Sequence, residues 1–422
     1  MNKTRVFCFA LLALLLISPV RAVKADEMSE LKQQMSQMME RLAQLEARQK
    51  LKERQLAQEI ADVKAQKVEP AVLPASLKWL EKIKISGDFR YRHEHIDSDT
   101  LTSRNVGRDR HRIRARLMLT SVINDEWGVG FRIATGDTSS ATSTNQDLDD
   151  GFASKDLWLD LAYFDFHPAS ISGLNMYGGK IKNPFLRVGS NQVVWDSDVT
   201  LEGIAATYQK PLGETNTLNL AAGGFWVDEE AANVDTSMWG VQAYIKHDIG
   251  NPDYILGGVS YWDYMNINGQ DLGTAARGNT FVTGTNNYAY DYNILELFAE
   301  YGTKVSGLPV AIFGSWVDNL GCSSSDDTAW VLGFKLNKAK DPGSWQFSYN
   351  YRNIEADAVL GALNDGDFTG GGTDGRGHTL NFGYQVAKNT LAALTFFQNE
   401  GISASKNVDD YQKLHADLVF KF

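Results

Sequence analysis

Four arginines, Arg110, Arg112, Arg114 and Arg116, recur at every second residue, with Ile113, Ala115, Leu117 and Leu119 on the other parity. In an extended strand residues two apart share a face, so the four guanidiniums must stand in one row. Facing lipid, each would cost ~2–4 kcal/mol near the bilayer midplane, so the row belongs on a watered face. Arg90 and Arg92 of the preceding strand, Arg132 of the next, and Lys180 and Lys182 further on extend it into a basic wall. The opposite sign comes from Asp196 and Asp198, in Val194-Trp195-Asp196-Ser197-Asp198, and from Glu202 at the start of the following strand. A loop folded inward would set these carboxylates across from the wall. Opposed rows of charge make a transverse field that orders water and favours small polar or charged solutes over apolar ones. The chemistry that these residues suit is selection of what passes.

Other constellations carry less. Asn145, Asp147, Asp149, Asp150 and Asp156 cluster in one loop, but glycine stands at Gly151, one place late for a calcium loop. The run Gly370-Gly371-Gly372 reads as part of an external loop with no helix behind it, so it is no phosphate cradle. His111, His167 and His378 have no serine elbow near them, and no catalytic constellation can be assembled. Only two cysteines occur, Cys8 and Cys322, so the Cys/His clusters of metal sites are missing, and no metal or cofactor is expected. The net charge of -11 argues against nucleic-acid binding.

The elements that must position the charged rows are strands. From about Leu80 the chain alternates apolar and polar residues through some sixteen segments, ending on Phe422. In the last, Leu414, Ala416, Leu418, Phe420 and Phe422 share one face, while His415, Asp417 and Lys421 take the other. Period two means a strand between two different solvents. The apolar sets include Ile83, Ile85, Phe89 and Tyr91 in the first strand and Trp127, Val129, Phe131 and Ile133 in the third. Trp330, Leu332, Phe334 and Leu336 mark the twelfth, and Trp345, Phe347, Tyr349 and Tyr351 the thirteenth. Long loops fall near 97–107, 138–155, 186–198, 229–235, 268–288, 321–327, 356–376 and 401–408, with short turns between them. Pro168, Pro211, Pro252, Pro309 and Pro342 each sit at a short turn, because proline cannot donate to a ladder. Eight long loops and seven turns join sixteen strands whose two ends lie on the short-turn side. The segments approach the ~9–11 residues that cross a membrane at a tilt. The fold class expected is all-β: a transmembrane antiparallel β-barrel of about sixteen strands over 80–422. In such barrels the short-turn side is periplasmic.

Ahead of the barrel, residues 1–25 read as a signal peptide, with Lys3 and Arg5, an apolar run from Phe7 to Val20, and small residues before Ala25. Residues 26–66 lack Gly and Pro, and Met28, Leu31, Met35, Met38, Leu42 and Leu45 follow a 3-4 spacing that breaks at Gln49 and Lys52. This spacing predicts a short periplasmic α-helical coiled coil. Residues 67–79, with Pro70 and Pro74, read as a linker.

The stretch Gly179-Lys180-Ile181-Lys182-Asn183-Pro184-Phe185, followed by Val194-Trp195-Asp196-Ser197-Asp198 and Glu202-Gly203, resembles the putative porins of Gram-negative bacteria, themselves similar to sixteen-stranded general porins. The resemblance runs from about residue 26 to Phe422. It implies a water-filled outer-membrane pore, usually a homotrimer, with the inward loop at the place reached above. It also implies that the terminal Phe422 is the signal for the outer-membrane assembly machinery. Arg187 in the loop departs from a purely acidic constriction. The expected partners are outer-membrane lipid and lipopolysaccharide, further copies of the chain, the assembly machinery and small hydrophilic solutes. The function expected is passive diffusion of small hydrophilic solutes and ions. Alternatives are a channel selective for an anion or a sugar, and a tether between outer membrane and cell wall with an incidental pore.

Overall fold

The computed structural model describes residues 25–65, 75–99, 107–137, 140–231 and 234–422. Nearly all of the expected signal peptide, and most of the linker, lie outside the described residues.

Of the N-terminal unit, the described residues 25–65 form one helix, α1 (Ala25–Ala65). Met35, Met38, Leu42, Leu45 and Leu56 are all more than half exposed along it. This corrects the expected coiled coil: a coil needs a second helix in the seam, and among the described residues α1 has none. The 3-4 spacing reports an apolar stripe, which a lone amphipathic helix carries equally well. The break at Gln49 and Lys52 also leaves too few continuous heptads to specify a partner.

The second unit is a closed barrel of sixteen antiparallel strands. These are β1 (Ile83–Asp99), β2 (Arg108–Val122), β3 (Trp127–Thr135), β4 (Leu157–Phe166), β5 (Leu174–Lys182), β6 (Thr200–Leu212), β7 (Asn216–Asp228) and β8 (Thr236–Gly250). They continue as β9 (Asp253–Met265), β10 (Tyr292–Val305), β11 (Leu308–Asn319), β12 (Thr328–Leu336), β13 (Trp345–Ile354), β14 (Gly375–Ala387), β15 (Thr390–Gly401) and β16 (Asp410–Lys421). Each strand pairs with its sequence neighbours, and β16 closes on β1 from Asp88↔Lys421 to Asp99↔Asp410. Phe422 completes the seam through its own amide and carbonyl, bonded to Gly87 at 3.1 and 2.9 Å. A two-residue strand, Gln146–Asp147, belongs to the β3–β4 loop and pairs with β2. The eight long loops and seven short turns fall where the alternation places them.

The outer surface carries the expected apolar faces. Ile85, Phe89 and Tyr91 on β1, Trp127, Phe131 and Ile133 on β3, and Trp330 and Leu332 on β12 are all exposed. In water such a girdle would be costly, whereas facing lipid it is what holds the barrel in the bilayer.

The lumen is divided in two. On one side the β5–β6 loop, residues 183–199, folds inward. It packs Phe185, Val188, Val194 and Trp195 against Phe225, Met238, Trp262, Phe298 and Phe313 of the wall. Phe185 and Trp195 meet Trp262 edge-on, with ring centroids 5.5 and 5.8 Å apart. Gly189 lets the loop tip lie flat on the wall: its φ is +57°, and a Cβ there would come within 2.3 Å of the Phe313 ring. The β13–β14 loop, residues 355–374, also turns inward, where an external loop was expected. Asp357, Val359, Leu360, Asn364, Asp365 and Phe368 in it are almost wholly buried. Its glycine run serves packing. Gly372, at φ +89°, sits where a Cβ would meet the Arg277 carbonyl at 1.8 Å. The opposite side of the lumen, formed by β16, β1, β2 and β3, is polar and open.

Candidate pore constriction

The arginine row lies where the strand period puts it. Arg90, Arg92, Arg110, Arg112, Arg114 and Arg116 all point into the lumen, each with a side chain no more than 20 % exposed. In register, Arg90 faces Arg114, Arg92 faces Arg112, and Asp88 and Glu94 face Arg116 and Arg110. Like charges directly opposite one another repel, so carboxylates must be drawn in, and most come from the wall itself. Arg92 grips Asp417 with two bonds of 2.7 and 2.8 Å. Arg114 and Arg116 share Asp88, each at 2.8 Å. Arg110 bonds Glu94, and Arg112 lies 2.5 Å from Asp147 of the β3–β4 loop. Arg132 pairs with Asp160 of β4, apart from the main cluster.

A buried charge network ties this wall to the inward loops. Glu94, fully buried, is approached by His415 at 2.9 Å and Lys413 at 3.3 Å. Asp367 of the 355–374 loop takes Lys413 at 2.6 Å and Arg92 at 3.6 Å. Burial would raise the Asp367 carboxyl, but the charges of Lys413, His415 and Arg92 outweigh it and hold it well below the ordinary carboxylate range. Among the described residues, Glu94, Asp367 and His415 are the one group close enough together to hold a metal ion. The Lys413 ammonium already supplies the positive charge there.

The three acidic residues expected opposite the wall separate. Asp198 does meet it, accepting from Arg116 at 3.2 Å and from the Thr144 hydroxyl at 3.1 Å. Asp196 turns instead toward the 355–374 loop. Its carboxylate accepts the Gly366 amide at 3.1 Å, and its own amide donates to the Leu363 carbonyl at 2.8 Å. Burial, with Asp365 and Asp198 nearby, pushes the Asp196 carboxyl well above the ordinary range. Glu202 is not in the lumen. It pairs with Lys180 at 2.6 Å, and the ladder Phe131↔Ala162, Ala162↔Lys180, Lys180↔Glu202 puts both on the outer face. Lys180 is therefore no part of the basic wall. On β5 itself Lys180 shares its parity with Met176 and lies opposite in parity to the buried Ile181, which is the sign that it faces outward. Lys182, at the external end of β5, is exposed and has no ion-pair partner among the described residues. Arg187 spends its guanidinium inside its own loop, donating to the Trp195 carbonyl at 3.0 Å.

Glu94, Asp367 and the Arg352–Asp365 pair were not singled out in the sequence, and Asp147 was named only in the loop cluster weighed as a calcium site. Asp417 and His415 were legible as the polar face of the last strand. Nothing local marks Asp365 or Asp367 as inward-facing.

Two cavities lie along the lumen. One, of about 300 Å3, is lined by Arg90, Arg92, Arg112 and Arg114 on the wall and by Ser143 and Asp198 on the loops. The other, of about 850 Å3, is lined by Tyr254, Glu300, Lys304, Lys335, Arg352 and Asp365. Gln192 of the β5–β6 loop and Thr395 and Phe397 of β15 line both.

Among solved structures, the chain is similar to OprB of Pseudomonas putida, at 12% identity and a TM-score of 0.55, over 82% of this chain and 96% of that one. It is also similar to OmpF of Salmonella typhi, solved in complex with daunomycin, at 12% identity and a TM-score of 0.50, over 81% of this chain and 97% of that one. At such identities the likeness is one of fold. No curated protein matches the chain. The family described as "Putative porin" matches residues 97–299 and 281–422. With the alternating strands, the closed barrel and the inward loops in agreement, the chain belongs to that porin family.

Proposed function

We propose that this porin lets small hydrophilic solutes and ions diffuse passively across the outer membrane, through a lumen narrowed by the 183–199 and 355–374 loops. The observation that carries the reading is the sharing of Gln192, Thr395 and Phe397 by two lumen cavities, of which the smaller is polar and the larger mixed. A solute leaving one passes these three residues to enter the other. Arg90, Arg92, Arg110, Arg112, Arg114 and Arg116 line the wall beside that route and Asp198 stands at its loop side, so polar and charged solutes are favoured over apolar ones. Reconstituted into liposomes, the protein should admit neutral sugars at rates that fall steeply with size; no swelling even with a pentose would refute it.

The N-terminal helix lies in the periplasm on this reading, since both barrel ends are on the short-turn side. The chain acts as a homotrimer, and the Lys180–Glu202 pair supports this. An ion pair on an apolar outer face, beside Phe131 and Ile204, is better covered by a neighbouring subunit than by lipid tails. Mass measurement of the detergent-solubilised protein expects three chains per particle; a single chain would exclude the trimer. Phe422, closing the seam at the last position, serves as the assembly signal. A second reading, selectivity for anions, is favoured by the concentration of guanidiniums along one wall.

A further inference from the structure

One guanidinium in the smaller cavity comes from no wall strand. Arg277 lies in the β9–β10 loop and lines the same space as Arg90 and Arg112. Its backbone is held firmly: its carbonyl accepts the Thr373 amide at 2.7 Å, and Gly372 packs over that carbonyl. Its side chain has no carboxylate within 4.0 Å and no hydrogen-bond acceptor among the described residues. Arg90 also lacks a close carboxylate. Its guanidinium donates to the Asn145 amide oxygen, its nearest carboxylate oxygen, on Asp417, is 4.0 Å away, and its buried Nε has no partner. The other wall arginines are each met by a carboxylate closer than 3.0 Å. Of the carboxylates lining the cavity, Asp198 is held by Arg116 and Asp367 by Lys413, and burial favours the neutral form of Asp196. The cavity thus keeps two guanidiniums that no close carboxylate matches, one from the wall and one from a loop, in a space that the carboxylate-paired wall arginines and the hydroxyls and amides of Thr142, Ser143 and Gln192 also line. A planar guanidinium fork matches the oxygens of a carboxylate or a phosphate.

We propose that Arg277 and Arg90 form an anion subsite in the passage, which binds a small dianion through its carboxylate or phosphate groups on the way through. This deepens the anion-selective reading and rests on the channel being open. The binding is weak enough to release, because a solute must leave as well as enter.

The test is chloride current through the purified full chain in planar bilayers, titrated separately with succinate and with inorganic phosphate. A saturable block is expected with one or both, and their relative strength tells a dicarboxylate site from a phosphate site. Loss of one charge-assisted bond weakens binding by about tenfold or more. Arg277→Gln should therefore raise the half-blocking concentration by about tenfold, with Arg277→Lys between it and the native protein. Arg90→Gln, on a separate element, should do the same. If Arg277→Gln does not reach the membrane, Arg277→Lys and Arg90→Gln decide the matter. Current that stays linear and unblocked by either anion would overturn the subsite while leaving the channel intact. So would a block that both substitutions leave unchanged. No current at all would instead refute the open channel beneath it.

Discussion

Replacing Arg352 by methionine tests whether the second inward loop is held by charge. The Arg352 guanidinium donates to Asp365 of that loop at 2.6 Å, to Thr379 at 3.1 Å and to Asn350 at 3.0 Å, and lies 4.3 Å from the centre of the Phe368 ring. The two charged side chains are 4 % and 1 % exposed, so water has little access to either partner while the loop stays seated. Methionine keeps much of the volume and the contact with Phe368 but leaves Asp365 buried without a counter-charge. Breaking a buried pair from one side costs ~3–5 kcal/mol. At ~1.4 kcal/mol per factor of ten, that moves the balance between seated and released loop by roughly two to three and a half powers of ten. The barrel should survive, because its sixteen-strand ladder does not pass through this pair. The expected result is a folded, heat-resistant barrel with larger or noisier single-channel current and new protease cleavage within residues 355–374. Native conductance, native noise and native protease resistance in the variant would refute the reasoning.

Further outcomes follow from the same geometry. Arg112→Ala combined with Arg114→Ala removes two lumen cations beside Asp147 and Asp88, and should shift the zero-current potential in a salt gradient toward cations; an unmoved potential would place these arginines off the ion path. Asp196, raised by burial, stabilises loop seating fully only below its ordinary pKa, and that contribution is lost as pH rises through the raised value. Asp367, held low, contributes above its ordinary pKa and fails only in stronger acid. As pH is lowered through the raised value of Asp196, conductance should therefore fall, and Asp196→Asn should flatten the curve. Gly189→Ala combines a φ of +57° with a 2.3 Å approach to the Phe313 ring, so it should lift the β5–β6 loop and raise conductance; unchanged conductance would show that the tip is not seated on Phe313.

The strands, their number and the side that faces lipid could be read because period two survives wherever one face meets lipid. Phe89 and Tyr91 against Arg90 and Arg92 is such a case. Asp198 reached the arginine wall as expected. The reading failed at β5 and β6, where Lys180 and Glu202 fall on the outer parity with Met176 and Ile204. It was also weak along β11, where Ile312 and Trp316 face lipid while Phe313 and Val317 face packed loops. Strands apolar on both faces are the one signal that could have shown the lumen to be partly filled. The 355–374 loop was misplaced because inward folding is decided by partners outside it, Tyr292, Arg352 and Lys413, and not by its own composition. The helical stripe of α1 had no such context, and a stripe does not say what covers it.

The most direct test of the account is single-channel recording of the purified, folded protein in a planar bilayer. A passage past Gln192, Thr395 and Phe397 predicts steady, ohmic steps in simple salt, grouped in threes if the chain is a trimer. Folded protein that inserts without giving steps would mean that the inward loops close the lumen, and would contradict the channel.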